Sequence, residues 1–579
     1  MKYFPVFIIM LFFISAAYSF AQVNSKNNKR DDRAVEYISP VRILWQSDNN
    51  NEFIKGAQNL LKKGNQQADL SGSNLCYIKN DKNTKSSLLL DFGKELQGGI
   101  LIITDQKTTK AARIRIRFGE SAEEAMAELG RKKNATNDHS LRDLETGVPW
   151  LGSLEIGNTG FRFVRIDLLT PESELSLKEV SAKFVFRDIP YLGSFNCNDE
   201  KINKIWQTGA YTVHLNMQQY LWDGIKRDRL VWAGDLNPEI MTINSVFGYN
   251  EVVPKSLDLC RDITPLPKWM NGISSYSLWW IINHYNWFCY TGDIKYLNEQ
   301  KEYLVKLVDQ IVSKIDEDNN EVLDGGRFLD WPSNDDKKAI HAGLQSLMVI
   351  ALNAANEICN YIGIPETGKK CAGAADRLKK NIPPHNNSKQ AASLMAIAGL
   401  MDAGKANKEV IAEGGSKKFS TFYGYYMLEA KAIAGDFEGA LDNIREYWGA
   451  MLDFGATTFW EDFDLDWIKN ASRIDELVPE GKDDLHGGFG AYCYIGFRHS
   501  LCHGWASGPT AWLSRYVLGI VPVEPGFKKV KITPHLGGLN FAEGSFPTPY
   551  GVIKVKHVKQ PDGTVKSDII LPDGVVRAD

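Results

Sequence analysis

The hydrophobic period of this chain changes twice, and that limits the folds open to it. From Asn198 to about Gly519, apolar residues recur at three- and four-residue spacing through successive segments, among them YSLWWIINHYNWFCYTG, AIHAGLQSLMVIALNAANEICNYIG and FSTFYGYYMLEAKAIAG. Many of these runs end at Gly, as helix C-termini do. With the weaker runs they make about ten to twelve helices in one stretch, a series of helical hairpins, and closure into a toroid is one way to bury every inner face. Before Asn198 the period is two: SSLLLDFGKELQGGILIIT, AARIRIRFGES and GFRFVRIDLLT alternate as half-buried strands do, so residues 36–187 are expected to form a β-sandwich. The charged insert AEEAMAELGRKKNATNDHSLRDLETG predicts a short helix followed by a loop. After Ile520 the alternation returns in VPVEPGFKKVKITPHLGG, PYGVIKVKHVKQPDG and TVKSDIILPDG, which predicts a small β-sandwich over 520–579. The expected molecule is multidomain and mainly α, with a helical domain over 188–519 between two β modules. That order does not suit a nucleotide fold built from βαβ units.

The N-terminal MKYFPVFIIMLFFISAAYSFA has a basic residue at Lys2, an apolar run and small residues at Ser19 and Ala21. It reads as a signal peptide over 1–21, followed by a polar linker over 22–35, so the protein is expected to be exported, to the periplasm or beyond the cell. No later segment reaches the roughly 18 uninterrupted apolar residues of a spanning helix, and no membrane insertion is expected after cleavage. Eight Cys without a CxxC pair do not make a disulfide framework; Cys359 and Cys371 are near enough in sequence to pair, and the others read as free thiols. With 67 basic and 71 acidic residues the net charge is -4, so nucleic acid is not an expected partner.

Several chemistries are missing from the sequence. There is no phosphate-binding P-loop, no HExxH, no dinucleotide fingerprint and no GxSxG elbow. The run DEDNNEVLDG lacks the sixth-position Gly and terminal Glu of a calcium loop and reads as a polar interhelix loop. The His residues make no ligand spacing. No metal and no cofactor is expected.

What remains is a set of carboxylates among aromatic residues. Trp 15, Tyr 22 and Phe 27 are an aromatic excess that leaves sugar binding open, since indole faces stack on the C–H faces of sugars. One cluster is WDGIKRDRLVWAGDLNPE, with Asp223, Asp228 and Asp235 between Trp222 and Trp232; Gly224 and Gly234 argue for a loop there. A second is GATTFWEDFDLDW, with Glu461, Asp462, Asp464 and Asp466 beside Trp460 and Trp467, and a third, FLDWPSNDD, sets Asp330 next to Trp331. Glycoside hydrolysis needs these groups: one carboxyl that gives a proton, a second that acts as base or nucleophile, and aromatic walls. Trp279 and Trp280, consecutive on a helix, cannot both face one cleft.

WDGIKRDRLVWAGD resembles the signature of glycoside hydrolase family 78, the α-L-rhamnosidases, and GATTFWEDFD is similar to that family's second catalytic segment. SLCHGWASGPTAWLSRYVLGIVPVEPGFKKVKITP resembles its last barrel helix and exit into the C-terminal sandwich, and DFGKELQGG and GFRFVRI its N-terminal sandwich. The resemblance implies an (α/α)6 barrel catalytic domain flanked by β-sandwich domains, which hydrolyses terminal α-L-rhamnose residues with inversion. It implies Asp228 as general acid and Glu461 as general base, with Asp462 and Asp464 the rivals for the second role. It further implies sugar contacts at Asp223, Trp232, Asp235, Asp330, Trp331, Trp460 and His503; a core histidine capping a helix is the other reading of His503. Two departures stand out. The family's usual RDER stretch reads RDR here, and the motif is one residue shorter than its commonest form. Arg227 and Arg229 flank Asp228, and adjacent cations oppose a protonated carboxyl unless they point away or burial against Trp outweighs them. The other functions open to the chain are a six-hairpin glycosidase for another deoxy- or uronic-acid sugar and a non-catalytic carbohydrate-binding protein.

Overall fold

A computed structural model of the chain describes residues 32–130, 133–492 and 494–578. The expected signal peptide and most of the linker that follows it lie outside the described residues. The first module is an antiparallel sheet made of β1 (Arg33–Ile38), β2 (Arg42–Gln46), β3 (Ile54–Lys55), β4 (Cys76–Asn80), β5 (Ser87–Thr104), β6 (Arg113–Gly119), β7 (Asp143–Gly147), β8 (Gly152–Leu168) and β9 (Ser173–Arg187). Its order is β3-β4-β9-β5-β8-β6-β7, with β1 also on β9 and β2 on β5. The strands are one hydrogen-bonded sheet rather than two separate ones, because β5 and β8 are long and carry register shifts near Asp91–Leu96 and Gly98–Ile100 that bend them. Gly98 permits this bend: its φ is 141°, and a Cβ there would meet the Lys183 carbonyl oxygen at 2.0 Å. The charged insert forms the short helix Ala122–Met126 and then an irregular loop back to β7.

The helical region contains two kinds of helix. It runs through α1 (Glu200–Asn216), α2 (Leu236–Val246), α3 (Val252–Asp262), α4 (Ser274–Thr291), α5 (Lys301–Val312), α6 (Lys337–Tyr361), α7 (Pro365–Leu378), α8 (Lys389–Ile397), α9 (Ala403–Ala406), α10 (Gly424–Ile433), α11 (Phe437–Asn443) and α12 (Gly508–Trp512). Local chemistry sets the ends: Asp199, Asp336 and Ser388 cap α1, α6 and α8 through their side chains, Pro365 opens α7, and Gly292 closes α4 with φ 70°. Helices α3, α5 and α7 bury one stripe each, such as Leu304, Leu307, Val308 and Ile311 on α5. Helices α2 and α12 are buried all round, and α4, α8 and α10 nearly so. A helix buried on every side lies inside its domain, so α2, α4, α8, α10, α12 and the Ala339–Leu352 part of α6 are inner, and the amphipathic α3, α5 and α7 lie outside. Trp279 and Trp280 divide between these layers: Trp279 stacks on Tyr426 of α10, while Trp280 donates to the Leu257 carbonyl of α3 at 3.0 Å.

Two further sheets complete the chain. β10 (Ser194–Cys197), which precedes α1, pairs with β13 (Phe541–Thr548), so residues 194–197 belong with the C-terminal module. β14 (Gly551–Lys559) and β15 (Val565–Ile570) extend that sheet, and β11 (Ile520–Pro522), β12 (Lys529–Ile532) and β16 (Val576–Arg577) form a second. Cys359 and Cys371 are free thiols in side-chain contact. No described helix is long and apolar enough to cross a membrane.

Candidate active site

The stretch from Gln218 to Gly234 is a loop, as its glycines suggested, and it is folded back on itself. Asp223 and Leu230 exchange two bonds: the Asp223 N–H donates to the Leu230 carbonyl (3.0 Å), and the Leu230 N–H to Asp223 Oδ1 (2.9 Å). The tip between them carries Asp228 and Arg229 at φ 53° and 56°, a left-handed pair that costs non-glycine residues roughly 1–2 kcal/mol each. Contacts from outside offset that cost. Arg229 lies over the Trp222 ring at 4.5 Å and donates to the Asn158 carbonyl of β8 at 2.9 Å, and the Gly160 N–H donates to the Ile225 carbonyl at 3.0 Å. Arg229 therefore points away from the carboxyls.

Arg227 does not. Its Nη1 donates to Asp228 Oδ1 at 2.7 Å, its Nη2 to Glu461 Oε1, and its guanidinium lies 4.7 Å from the centre of the Tyr494 ring. One buried guanidinium thus joins the two carboxylates that the sequence reading named as acid and base. On its other side Asp228 faces His139 of the insert, whose Nε2 is 3.4 Å from Oδ1.

Glu461 is held by backbone as well. Its N–H donates to the Ser500 carbonyl and the Ser500 N–H donates to Oε2, both at 3.0 Å, while Thr421 Oγ1 and Trp505 Nε1 donate to its carbonyl at 2.7 and 3.0 Å. Burial raises its pKa, and Arg227 is the largest influence the other way. The rivals sit elsewhere: Asp462 accepts from the Phe463 N–H, and Asp464 is exposed and caps the turn at Leu465–Lys469. Of the three, only Glu461 touches Arg227 and His503.

His503 is at the centre of the acidic group. Its Nε2 is 3.4 Å from Glu461 Oε1, 3.6 Å from Asp223 and 4.0 Å from Asp235, and its Nδ1 has no partner. Burial depresses its basicity strongly. It also precedes the turn Gly504–Ser507, without a side-chain capping bond, so the position of a helix cap and that of a site residue coincide. Asp223 and Asp235 are held well above the ordinary carboxyl range by burial and by each other's neighbours. Tyr276 of α4 donates to Asp235 at 2.7 Å, which requires Gly234: a Cβ there would meet the tyrosine ring at 2.3 Å.

Asp330 is buried and accepts from Ser420 Oγ (2.5 Å), Gln390 (3.3 Å) and the Trp331 N–H (3.0 Å); burial lifts it to about 6. Trp331 is partly exposed and donates through Nε1 to the Tyr494 hydroxyl at 2.6 Å, which ties this segment to Arg227. Trp232 is partly exposed and edge-on to Tyr276. Trp460 is 1% exposed, packs on Phe463 and leaves its indole N–H unpartnered, so it forms a wall behind Glu461 rather than an open platform.

The sequence reading did not single out Tyr276, Tyr494, His139 or Lys226. The Lys226 ammonium is buried 3.0 Å from Glu120 and 3.3 Å from Glu124 and donates to the carbonyls of Phe497 (2.9 Å) and His499 (2.7 Å). Among the described residues, Glu120, Glu124 and His486 are close enough together to ligate a cation, and Lys226 already supplies one there.

The Arg227 bridge has a kinetic consequence. In the role of general base that the resemblance implies, Glu461 would work ionised, so kcat/KM is expected to fall as pH drops through its pKa. Arg227→Met removes the main influence that lowers that pKa, and the acid limb of the profile is expected to move to higher pH. An acid limb that stays in place in this variant would detach Arg227 from the titration of Glu461.

The sequence model of the "bacterial alpha-L-rhamnosidase 6 hairpin glycosidase domain" matches residues 190–402, and that of the "bacterial alpha-L-rhamnosidase C-terminal domain" matches 519–577. An alpha-L-rhamnosidase of Alteromonas sp. (strain LOR) is 23% identical over 528 residues, which cover 83% of this chain and 54% of that protein. Among solved structures, the GH78 family rhamnosidase of Bacillus sp. GL1 superposes with a TM-score of 0.71 at 21% identity over 90% of this chain and 56% of that one. A rhamnosidase from Klebsiella oxytoca with rhamnose bound gives a TM-score of 0.65 at 17% identity, over 84% and 96% of the two chains. The chain spans little more than half the length of the Alteromonas and Bacillus proteins. The helical core over 190–402 and the C-terminal sheets over 519–577 are thus similar to those of the bacterial alpha-L-rhamnosidases, the six-hairpin glycosidases.

Proposed function

We propose that this protein is an exported, inverting exo-glycosidase that removes terminal α-L-rhamnose from a polysaccharide, an oligosaccharide or a small glycoside. In this reading the alternating helices close into an (α/α)6 barrel whose inner helices begin at the site. Asp228 gives its proton to the departing glycosidic oxygen. Glu461 takes a proton from water that attacks the opposite face of the anomeric carbon. Arg227 must leave Asp228 Oδ1 for the glycosidic oxygen to take its place, and its second N–H keeps Glu461 oriented meanwhile. Asp223, Asp235 and His503 offer donors and acceptors for ring hydroxyls, with Trp232 and Trp331 as apolar walls.

The observation that carries the reading is the single guanidinium shared by Asp228 and Glu461. It brings the two carboxylates to one buried group; inversion requires them roughly 6.5–9.5 Å apart, with room for an attacking water, and retention roughly 5 Å. The test is turnover of an aryl α-L-rhamnoside followed by NMR: the first-formed sugar is expected to be the β anomer. An α anomer would rule out inversion. Cleavage of a different glycoside would replace the sugar, and rhamnose binding without turnover would make the protein a carbohydrate-binding one.

A further inference from the structure

The buried helices share a direction. Asp235 precedes α2, Tyr276 lies in the first turn of α4, Gln390 in that of α8, Thr421 just before α10 and His503 just before α12, so all of these start at the acidic site. Farther along the same helices they surround a cavity of about 220 Å³, two or more turns past most of these starts. Met241, Ile282, Ile350, Ile397, Glu429 and Tyr516 line it, one from each inner helix or the turn that continues it. Its floor is Trp279 stacked on Tyr426 with ring centres 4.8 Å apart, and Tyr426 donates to Asn237 at 3.0 Å.

One wall is polar and incompletely paired. Glu429 is 8% exposed; its Oε2 accepts from Tyr516 at 2.7 Å and from Arg515 Nη1 at 3.1 Å, while its Oε1 has no partner. The Nε of Arg515 is also unpartnered. A buried carboxylate oxygen left without a donor is costly, and such groups ordinarily find one.

We propose that this cavity is a second carbohydrate site, which takes one uncharged sugar ring. A hydroxyl is both donor and acceptor, so a pair of them satisfies Glu429 Oε1 and Arg515 Nε together. The Glu429–Arg515 pair leaves no net charge to attract an ionic ligand. The aromatic floor and aliphatic walls suit the C–H face of a pyranose, and the volume lies below the roughly 300 Å³ at which drug-sized pockets begin, which limits the occupant to about one ring. The site is independent of the catalytic end in its residues, and it rests on the rhamnosidase reading only for the choice of L-rhamnose as first probe.

Calorimetric titration of the full chain with L-rhamnose, and in parallel with D-glucose, tests it. Two equivalents of L-rhamnose are expected, or one of D-glucose where that sugar fits only the cavity. Glu429→Gln is expected to weaken the cavity equivalent by about tenfold or more. Ile397→Trp, at the partly exposed rim, fills the space and is expected to abolish it, with aryl rhamnoside turnover retained as proof of folding. Cavity binding lost in Ile397→Trp by a chain that never cleaves the rhamnoside would sink the catalytic reading and leave this one standing. Normal turnover with sugar binding unchanged in both variants would overturn the second site alone.

Discussion

Glu461→Gln is expected to lower kcat by about 10²–10⁴-fold on every α-L-rhamnoside, with the fold intact. The amide keeps the shape but offers one acceptor oxygen where the carboxylate offers two, so it accepts from the Ser500 N–H or from Arg227 Nη2 but not both; circular dichroism should be unchanged and the melting temperature only modestly lower, and the amide cannot take a proton from water. Asp228→Asn is expected to differ in kind. A general acid matters most when the leaving group is a poor one, so this variant should lose about as much on an alkyl or glycosyl leaving group and far less on a nitrophenyl one. The contrast between the two variants is the informative measurement. Equal losses on both substrates in Asp228→Asn would show that Asp228 does something other than deliver a proton. Near-normal turnover of both would pass that role to another carboxyl, and Asp223 and Asp235, which burial holds well above the ordinary range, are the groups in contact with the site that carry the proton for it.

The period of the sequence was sufficient for the order of modules and for the helical series, because buried helices and half-buried strands leave a hydrophobic trace that needs no partner to be read. It was not sufficient for the way the modules interlock. β10 joins a sheet whose other strands lie more than 300 residues on, and nothing in SFNC announces Phe541–Thr548 as its partner. The same limit divides the site. Asp223, Asp228, Asp235 and Glu461 were legible because carboxylates beside indoles are costly unless they have work to do. Arg227 was visible only as a neighbour of Asp228 that should turn away. The loop geometry gave it the opposite task, since left-handed backbone at Asp228 and Arg229 sends the second arginine to the sheet and the first toward Glu461. Tyr276 and Tyr494 carry no local signal either: each acts through a contact at least 40 residues away in sequence, made by the packing of helices and loops. The tip at Asp228 and Arg229 is anchored by Lys226, two residues before it, through Glu120, Glu124 and the Phe497 and His499 carbonyls.

Lys226→Met is expected to cost about 3–5 kcal/mol, the range found when one member of a buried ion pair is removed and the other stays. The ammonium is buried between Glu120 and Glu124 of the first module and also donates to the Phe497 and His499 carbonyls of the helical region, so it joins the two bodies beneath the catalytic loop. Methionine fills much of the volume and leaves Glu120 without a cation, while Glu124 keeps Arg142 at 3.9 Å. The loss should depend on pH with a definite sign. Burial raises Glu120 from an ordinary 4.5 to about 7 even with Lys226 present, and without Lys226 it rises further. A carboxyl whose folded pKa exceeds its unfolded value favours the folded state at low pH, where it is protonated in both, and burdens it as pH climbs through the folded value. The urea-measured deficit of Lys226→Met should therefore be small near pH 5 and grow as pH rises above about 7, and Glu120→Gln added to it should recover part of the loss at pH 8. A deficit that is flat across this range, or one that Glu120→Gln deepens, would mean that packing of the lysine stem, and not its charge, seats the loop. With the charge gone, kcat should fall along with stability, because the strained pair Asp228 and Arg229 then lacks the anchor that keeps Arg227 aimed at Glu461.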